Sequence, residues 1–277
     1  TNKNIKIKDD FIRLNNEYFN STVESVDFSD ANSVKLMNKW AADNTNNLIT
    51  HVLDKTNPNA LMYLMNALYF KGIWTSEFNS RNTSSKPFYS EDGQTKNVYM
   101  MHQKSSFNYN ENQTMQIVEL PYGNQAFSMI VLLPKEGNKL ADVTQELQNS
   151  NSWGNLVSGL RSTQVDLYLP KFKTEYSRVL NDVLEKMGMG IAFEPGAADF
   201  SRMTDADAFI SFVEQFTYIN TDEVGTEAAA VTVVGIELTS YQPDRTATFN
   251  ANRPFIYIIR ENSTGSILFM GAVKYIE

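Results

Sequence analysis

The residues that could carry proton or metal chemistry in this 277-residue chain are two histidines, His51 and His102, and the acidic pairs Asp9-Asp10, Glu91-Asp92 and Asp222-Glu223. Neither histidine sits in an HExxH pattern, and the chain has no GxSxG turn and no Gly-rich phosphate loop. A histidine without such a frame reads as a surface or hydrogen-bonded residue. The acidic pairs lack the ligand spacing of a calcium loop and read as solvated turns. With no cysteine present, disulfides, thiolate nucleophiles and Cys-ligated metals are excluded. No metal site and no cofactor are expected. Hydrolysis by two carboxylates stays open, because such a pair can meet in space from any two points of a chain.

A different chemistry is written in residues 223–243, a long stretch for a loop. Split by a period of two, one face carries Thr226, Ala228, Ala230, Thr232, Val234, Ile236 and Leu238. The other carries Glu227, Ala229, Val231, Val233, Gly235, Glu237 and Thr239, so both charges share one face. The first face can be buried whole, and it begins with small residues that enter a narrow gap at little steric cost. A helix over Thr226-Glu-Ala-Ala-Ala is the competing reading, but Val231-Thr-Val-Val-Gly235 is a run of weak helix formers. The pattern favours a strand.

The elements that must position this segment follow from spacing. Residues 11–19 place apolar side chains at helical intervals, 23–28 read as a short strand, and Ser29-Asp30 resembles the cap of a helix over 31–50. Residues 60–74 are nearly continuously apolar, as a strand buried on both faces would be. Strands are expected at 97–102, 107–109, 115–120 and 126–133, helices at 140–147 and 152–160, and a strand at 164–169. A helix over 177–187 ending at Gly188, a strand at 209–220 and a hairpin of 255–260 with 266–275 complete the pattern. With no repeat and no linker, one mixed α+β domain over 1–277 is expected.

Composition bounds the partners. A hydrophobic fraction of 42% with 12% aromatic residues is that of a folded protein. A net charge of −8 with no cluster of Lys and Arg argues against nucleic acid. No stretch approaches the ~20 apolar residues of a membrane helix. Thr1-Asn-Lys-Asn is neither a signal peptide nor an initiator methionine, so the start reads as an internal point of a longer polypeptide. Four triplets, at Asn20, Asn82, Asn112 and Asn262, match the glycosylation pattern, which also arises by chance in a chain this rich in Asn, Ser and Thr.

Several of these stretches carry a family resemblance. Glu223-Val-Gly-Thr-Glu-Ala-Ala-Ala resembles the hinge of inhibitory serpins, the serine protease inhibitor family, and Phe249-Asn-Ala-Asn-Arg-Pro-Phe-Ile-Tyr-Ile-Ile259 resembles that family's C-terminal signature. Asn66-Ala-Leu-Tyr-Phe-Lys-Gly-Ile-Trp74 is similar to its central strand of sheet A, and Ser266-Ile-Leu-Phe-Met-Gly-Ala-Val273 to its last strand. The resemblance implies a serpin-like multi-sheet domain with a large central sheet, β-barrel-like smaller sheets and surrounding helices, lacking its N-terminal helices. It also implies a reactive loop at 223–243. Its hinge would comprise Glu223, Gly225, Thr226, Glu227, Ala228, Ala229 and Ala230, and its sheet-opening region Asn66, Trp74 and Gln215. Gln215 stands where many relatives have a histidine, and its amide retains the capacity to bond Asn66.

By the same resemblance the chain is a bait rather than an enzyme. A protease attacks the loop, forms an acyl-enzyme, and is trapped as the loop inserts into the sheet. Counting from Gly225 puts the cut between Thr239 and Ser240, with Leu238 as the alternative. Thr239 suits an elastase-like or subtilisin-like serine protease, Leu238 a chymotrypsin-like serine protease or a papain-like cysteine protease, and the absence of Lys and Arg over 224–242 disfavours trypsin-like targets. Burial of Val234, Ile236 and Leu238 with new ladder bonds sums to roughly 10 kcal/mol or more, enough to make insertion irreversible. A non-inhibitory carrier of the same fold is the alternative, against which the small residues Ala228 to Ala230 stand. Extracellular or cell-envelope placement is the corresponding expectation.

Overall fold

The computed structural model describes residues 1–211, 213–226 and 246–276. In chain order the elements are α1 (Asp9–Phe19), α2 (Asn32–Asn44), β1 (Met65–Tyr69), β2 (Gly72–Ile73), β3 (Ser84–Tyr89), β4 (Thr95–Glu111), β5 (Met115–Tyr122), β6 (Phe127–Pro134), α3 (Leu140–Leu147), α4 (Ser152–Ser158), β7 (Arg161–Pro170), β8 (Phe172–Val179), α5 (Asn181–Leu184), β9 (Glu214–Thr221), β10 (Gly225–Thr226), β11 (Ala247–Asn250), β12 (Phe255–Glu261) and β13 (Ile267–Val273). This is the α+β, multi-sheet class expected. Contacts divide the chain into two compact units, Thr1–Tyr69 with Glu175–Tyr218, and Phe70–Thr174 with Ile219–Glu277.

In the first unit, β1 runs parallel to the opening residues of β9, from Met65↔Glu214 to Tyr69↔Tyr218. Met65, Ala67 and Phe216 pack with Ala41, Ile49, Val52 and Tyr218. The alternate positions of β1 face outward, with Leu68 38% exposed and Leu64, just before the strand, 57%. The doubly buried strand expected over 60–74 is instead two strands, β1 and β2, and β1 is half-buried on one face and exposed on the other. Helix α2 stops at Asn44 rather than at residue 50, because Asn46 and Asn47 take left-handed φ values of 53° and 62°. Residues 23–28 contribute a single bridge, Asn2↔Val26, in place of a strand. Residues 177–179 end strand β8, so the helix expected over 177–187 shrinks to α5 and a following π turn, closed by Gly188 at φ 100°.

The second unit is built on a sheet in the order β11-β7-β4-β5-β6-β12-β13, with β3 on β4; the path stays open among the described residues. The two strands expected at 97–102 and 107–109 are one 17-residue strand, β4, which pairs with β3, β5 and β7 in turn. Central strands β5, β6 and β12 are buried on both faces, and β6 shows how. Its Val131 joins the core of Trp74, Met101, Leu167 and Phe255, while Ile130 and Leu132 join the core that α3 and α4 cover. Tight turns at Gly123 (φ 47°) and Gly265 (φ 74°) adopt conformations that glycine tolerates without strain, and they close the β5–β6 and β12–β13 hairpins.

Candidate functional site

The described part of the long segment, residues 223–226, is held in the second unit by partners drawn from four distant stretches. It begins with a local turn. Asp222 Oδ1 accepts from the backbone N–H of Val224 at 2.9 Å and of Gly225 at 3.2 Å, and Asp222 N–H donates to the Gly225 carbonyl at 2.9 Å. This is the local use of Asp that favours it in turns. The acidic pair Asp222-Glu223, a solvated turn by spacing alone, thus splits into a turn-former and an anchored carboxylate.

Glu223 accepts a hydrogen bond from Thr83 Oγ1 on Oε1 and an ion pair from Lys171 Nζ on Oε2, both at 2.8 Å. Burial pushes this carboxyl up, but the bonds from Lys171 and Thr83 outweigh it and hold it below its ordinary value. The Glu223 carbonyl receives Phe78 N–H at 2.9 Å.

Trp74 clamps the same turn twice. Its indole N–H donates to the Asp222 carbonyl at 3.0 Å and its backbone N–H to the Val224 carbonyl at 2.9 Å. The indole stacks on Tyr122 with centroids 4.4 Å apart and planes 12° from parallel. Both rings are buried.

The chain then enters the sheet as β10. Gly225 pairs with Ile73 and Thr226 with Gly72, antiparallel to β2, while Thr226 also pairs with Thr221 at the end of β9. The approach of β10 to β2 is so close that a Cβ at Gly225 would lie 2.0 Å from the Gly72 carbonyl oxygen. Thr226 is fully buried, its hydroxyl 2.7 Å from Tyr122 OH and 3.4 Å from Thr221 Oγ1. Burial raises the Tyr122 phenol far above its ordinary value, so it serves as a neutral hydroxyl.

The remaining residues singled out from the sequence fall as follows. Asn66 and Gln215 are register partners in the β1–β9 ladder of the first unit, and no side-chain hydrogen bond joins them among the described residues. Glu227, Ala228, Ala229 and Ala230, and Leu238, Thr239 and Ser240 around the expected cut, lie outside the described residues. His51 pairs with Asp54 at 3.0 Å and His102 with Asp166 at 2.8 Å, as hydrogen-bonded histidines do. Among the described residues no three His, Asp or Glu side chains gather in a way that could hold a metal ion. No described helix is long and apolar enough to cross a membrane.

Sequence reasoning did not find Thr83, Lys171, Tyr122 or Thr221. Thr83 stands 140 positions before Glu223, and nothing in its neighbourhood marks a carboxylate partner.

A family model described as Serpin (serine protease inhibitor) matches residues 1–276. The chain is 37% identical to human Serpin B3, over 92% of this chain and 67% of that protein. It is 35% identical to the leukocyte elastase inhibitor of Xenopus tropicalis, over 97% of this chain and 73% of that one. Its structure matches that of the thermophilic serpin tengpin in the native state with a TM-score of 0.88 at 31% identity, covering 98% of this chain and 70% of tengpin.

Proposed function

The chain belongs to the serpin family of serine protease inhibitors, and on that premise we propose that it traps its protease as a suicide substrate rather than turning over a substrate of its own. The loop 223–243 is the bait, with the hinge at 223–230 and the cut at Thr239–Ser240, or after Leu238. Cleavage leaves an acyl-enzyme, and the freed strand then enters the sheet behind residues already placed there. The whole of 1–277 acts as one working domain.

The observation that carries this reading is β10. Thr226, the first residue of the inserting face, is paired on two sides as strand, with Gly72 and Thr221, and Gly225 before it pairs with Ile73, all before any cleavage. Strand addition is costly to begin and favourable to extend, because each further residue adds ladder bonds and buried area to a register already set. Continuing this register would place Ala228 and Ala230 on the buried face with Thr226, where small side chains meet least resistance. In this account Asn66 and Gln215 belong to the ladder that must part.

The target is a protease with a small or medium apolar primary pocket: elastase-like, subtilisin-like or chymotrypsin-like among serine enzymes, or papain-like among cysteine enzymes. Action on proteases outside the cell places the protein in the extracellular space or the cell envelope. Incubation with one protease of each kind is expected to give, for at least one, an adduct that survives SDS. Simple cleavage of the loop by all four, with full protease activity retained, would overturn the reading.

A further inference from the structure

The inhibitory reading leaves the four Asn-x-Ser/Thr triplets unused, and the structure sorts them into two classes. At Asn112 the whole side-chain amide belongs to the fold. Its Oδ1 accepts the backbone N–H of Thr114 and of Met115, both at 2.9 Å, and its Nδ2 donates to Glu146 Oε1 at 2.6 Å. At Asn262, Oδ1 accepts from Ser128 Oγ and Nδ2 donates to the Gln125 carbonyl, both at 2.8 Å. A sugar on either nitrogen displaces these bonds and leaves polar groups without partners, which is costly. Asn20 and Asn82 differ. Both are exposed, as are Thr22 and Ser84 two places on, and neither amide makes a side-chain hydrogen bond among the described residues. Asn20 closes α1 at φ 48°, a left-handed conformation that asparagine tolerates, and Asn82 closes the short 3₁₀ turn Ser80–Asn82 before β3. Directly before Asn20, Tyr18 is 70% and Phe19 77% exposed. Such rings offer a flat apolar face that the C–H side of a pyranose can cover while its hydroxyls stay in water.

We propose that Asn20 and Asn82 are acceptors of N-linked glycan and that Asn112 and Asn262 stay bare. This rests on the placement outside the cell proposed above, since the triplet is modified in secreted proteins. In the transfer, the side-chain amide nitrogen bonds to the anomeric carbon of an oligosaccharide carried on a lipid pyrophosphate. The carbon–oxygen bond to the carrier breaks, the carrier leaves as free lipid pyrophosphate, and one amide proton is lost to solvent. The asparagine keeps its place in the chain and gains a bulky, solubilising group. Discrimination comes at folding. A chain modified at 20 or 82 folds with the glycan in solvent, whereas one modified at 112 or 262 cannot complete the turns that those amides hold.

The test secretes the whole chain from a eukaryotic cell behind an added signal sequence. Occupied sites are mapped by enzymatic deglycosylation in heavy-oxygen water, which leaves an isotope label wherever a glycan stood, followed by mass spectrometry of the peptides. The label is expected at positions 20 and 82 and not at 112 or 262. Label at 112 or 262, or its absence from 20 or 82, overturns the assignment. If no protein is secreted, the two classes are judged on unmodified protein through single replacements by Asp, which keep the shape and remove the amide N–H. Asn112→Asp and Asn262→Asp should each lower the melting temperature by roughly 2–4 °C, the worth of one hydrogen bond, while Asn20→Asp and Asn82→Asp leave it in place. Any other ranking overturns the assignment. Fractionation of the source cells reads the placement separately: protein confined to the cytoplasm overturns the placement, while the two acceptor classes stand or fall on the secreted sample.

Discussion

Lys171 Nζ lies 2.8 Å from Glu223 Oε2, tying the residue that opens the hinge to the end of β7; the carboxylate is 14% exposed. This pair and the Thr83 bond fix where the loop leaves the sheet. Replacing Glu223 with Lys sets two ammonium groups against each other at that point. The expected outcome is a hinge that leaves its turn, with loss of about 1–3 kcal/mol of stability. A urea titration of the variant checks it, and Lys171→Met should show a smaller loss because lysine is the more exposed partner.

The same pair has a pH signature. Glu223 has a folded pKa below its unfolded value of about 4.3, so its contribution is fully present above that value. It is lost as pH falls through the lower folded value. Hinge amide protection, taken relative to the intrinsic exchange rate at each pH, should therefore hold from neutrality down to about pH 5 and fall as pH drops below the unfolded value of about 4.3. In Glu223→Gln the acid limb attributable to this carboxylate should flatten.

Gly225→Ala drives a Cβ onto the Gly72 carbonyl oxygen at 2.0 Å, with backbone rather than a flexible side chain in the way. Strands β10 and β2 must separate, at an expected cost of about 1–3 kcal/mol and with a clear fall in adduct yield. Thermal unfolding and adduct scoring of the same preparation measure the two effects together.

Thr226→Arg places a charge where the side chain is fully buried among Tyr122 and Thr221. The loop should still be cut, but the protease should go free, turning an inhibitor into a substrate. Titration of residual protease activity against added variant reads this directly.

Away from the hinge, Glu119 and Arg260 form a nearly buried pair at 2.7 Å, with Asn108 and Ser128 completing the carboxylate's bonds. Burial pushes Glu119 up, but its partners outweigh this and hold it below its ordinary value. Arg260→Met leaves the carboxylate without its cation and should cost about 3 kcal/mol at neutral pH. Loop cleavage should be unaffected, and the melting temperature gives the measure.

Part of the fold was legible in the residues. The hairpins at Gly123 and Gly265 follow from turn chemistry, and the period-two pattern agrees with β10 at Gly225–Thr226, while the rest of 223–243 lies outside the described residues. The partners of the hinge were not legible. Tyr122, Thr83 and Lys171 reach the hinge only because β5, the turn after Phe78 and the end of β7 converge, and no local spacing encodes that convergence. Residues 177–187 misled because Val179, Leu180, Val183, Leu184 and Met187 keep helical intervals, while pairing of β8 with β9 draws the first of them into a sheet. The apolar run over 60–74 looked doubly buried; Leu64 and Leu68 are exposed because no described residue packs fully over them.

The most direct measurement is the intact mass of the product formed with a susceptible protease. Capture of a serine protease by insertion predicts a covalent species whose mass is that of the protease plus this chain up to Thr239, less one water for the ester formed, with the peptide from Ser240 onward leaving as a free amine from the broken peptide bond. Cleaved chain beside free, fully active protease would contradict it.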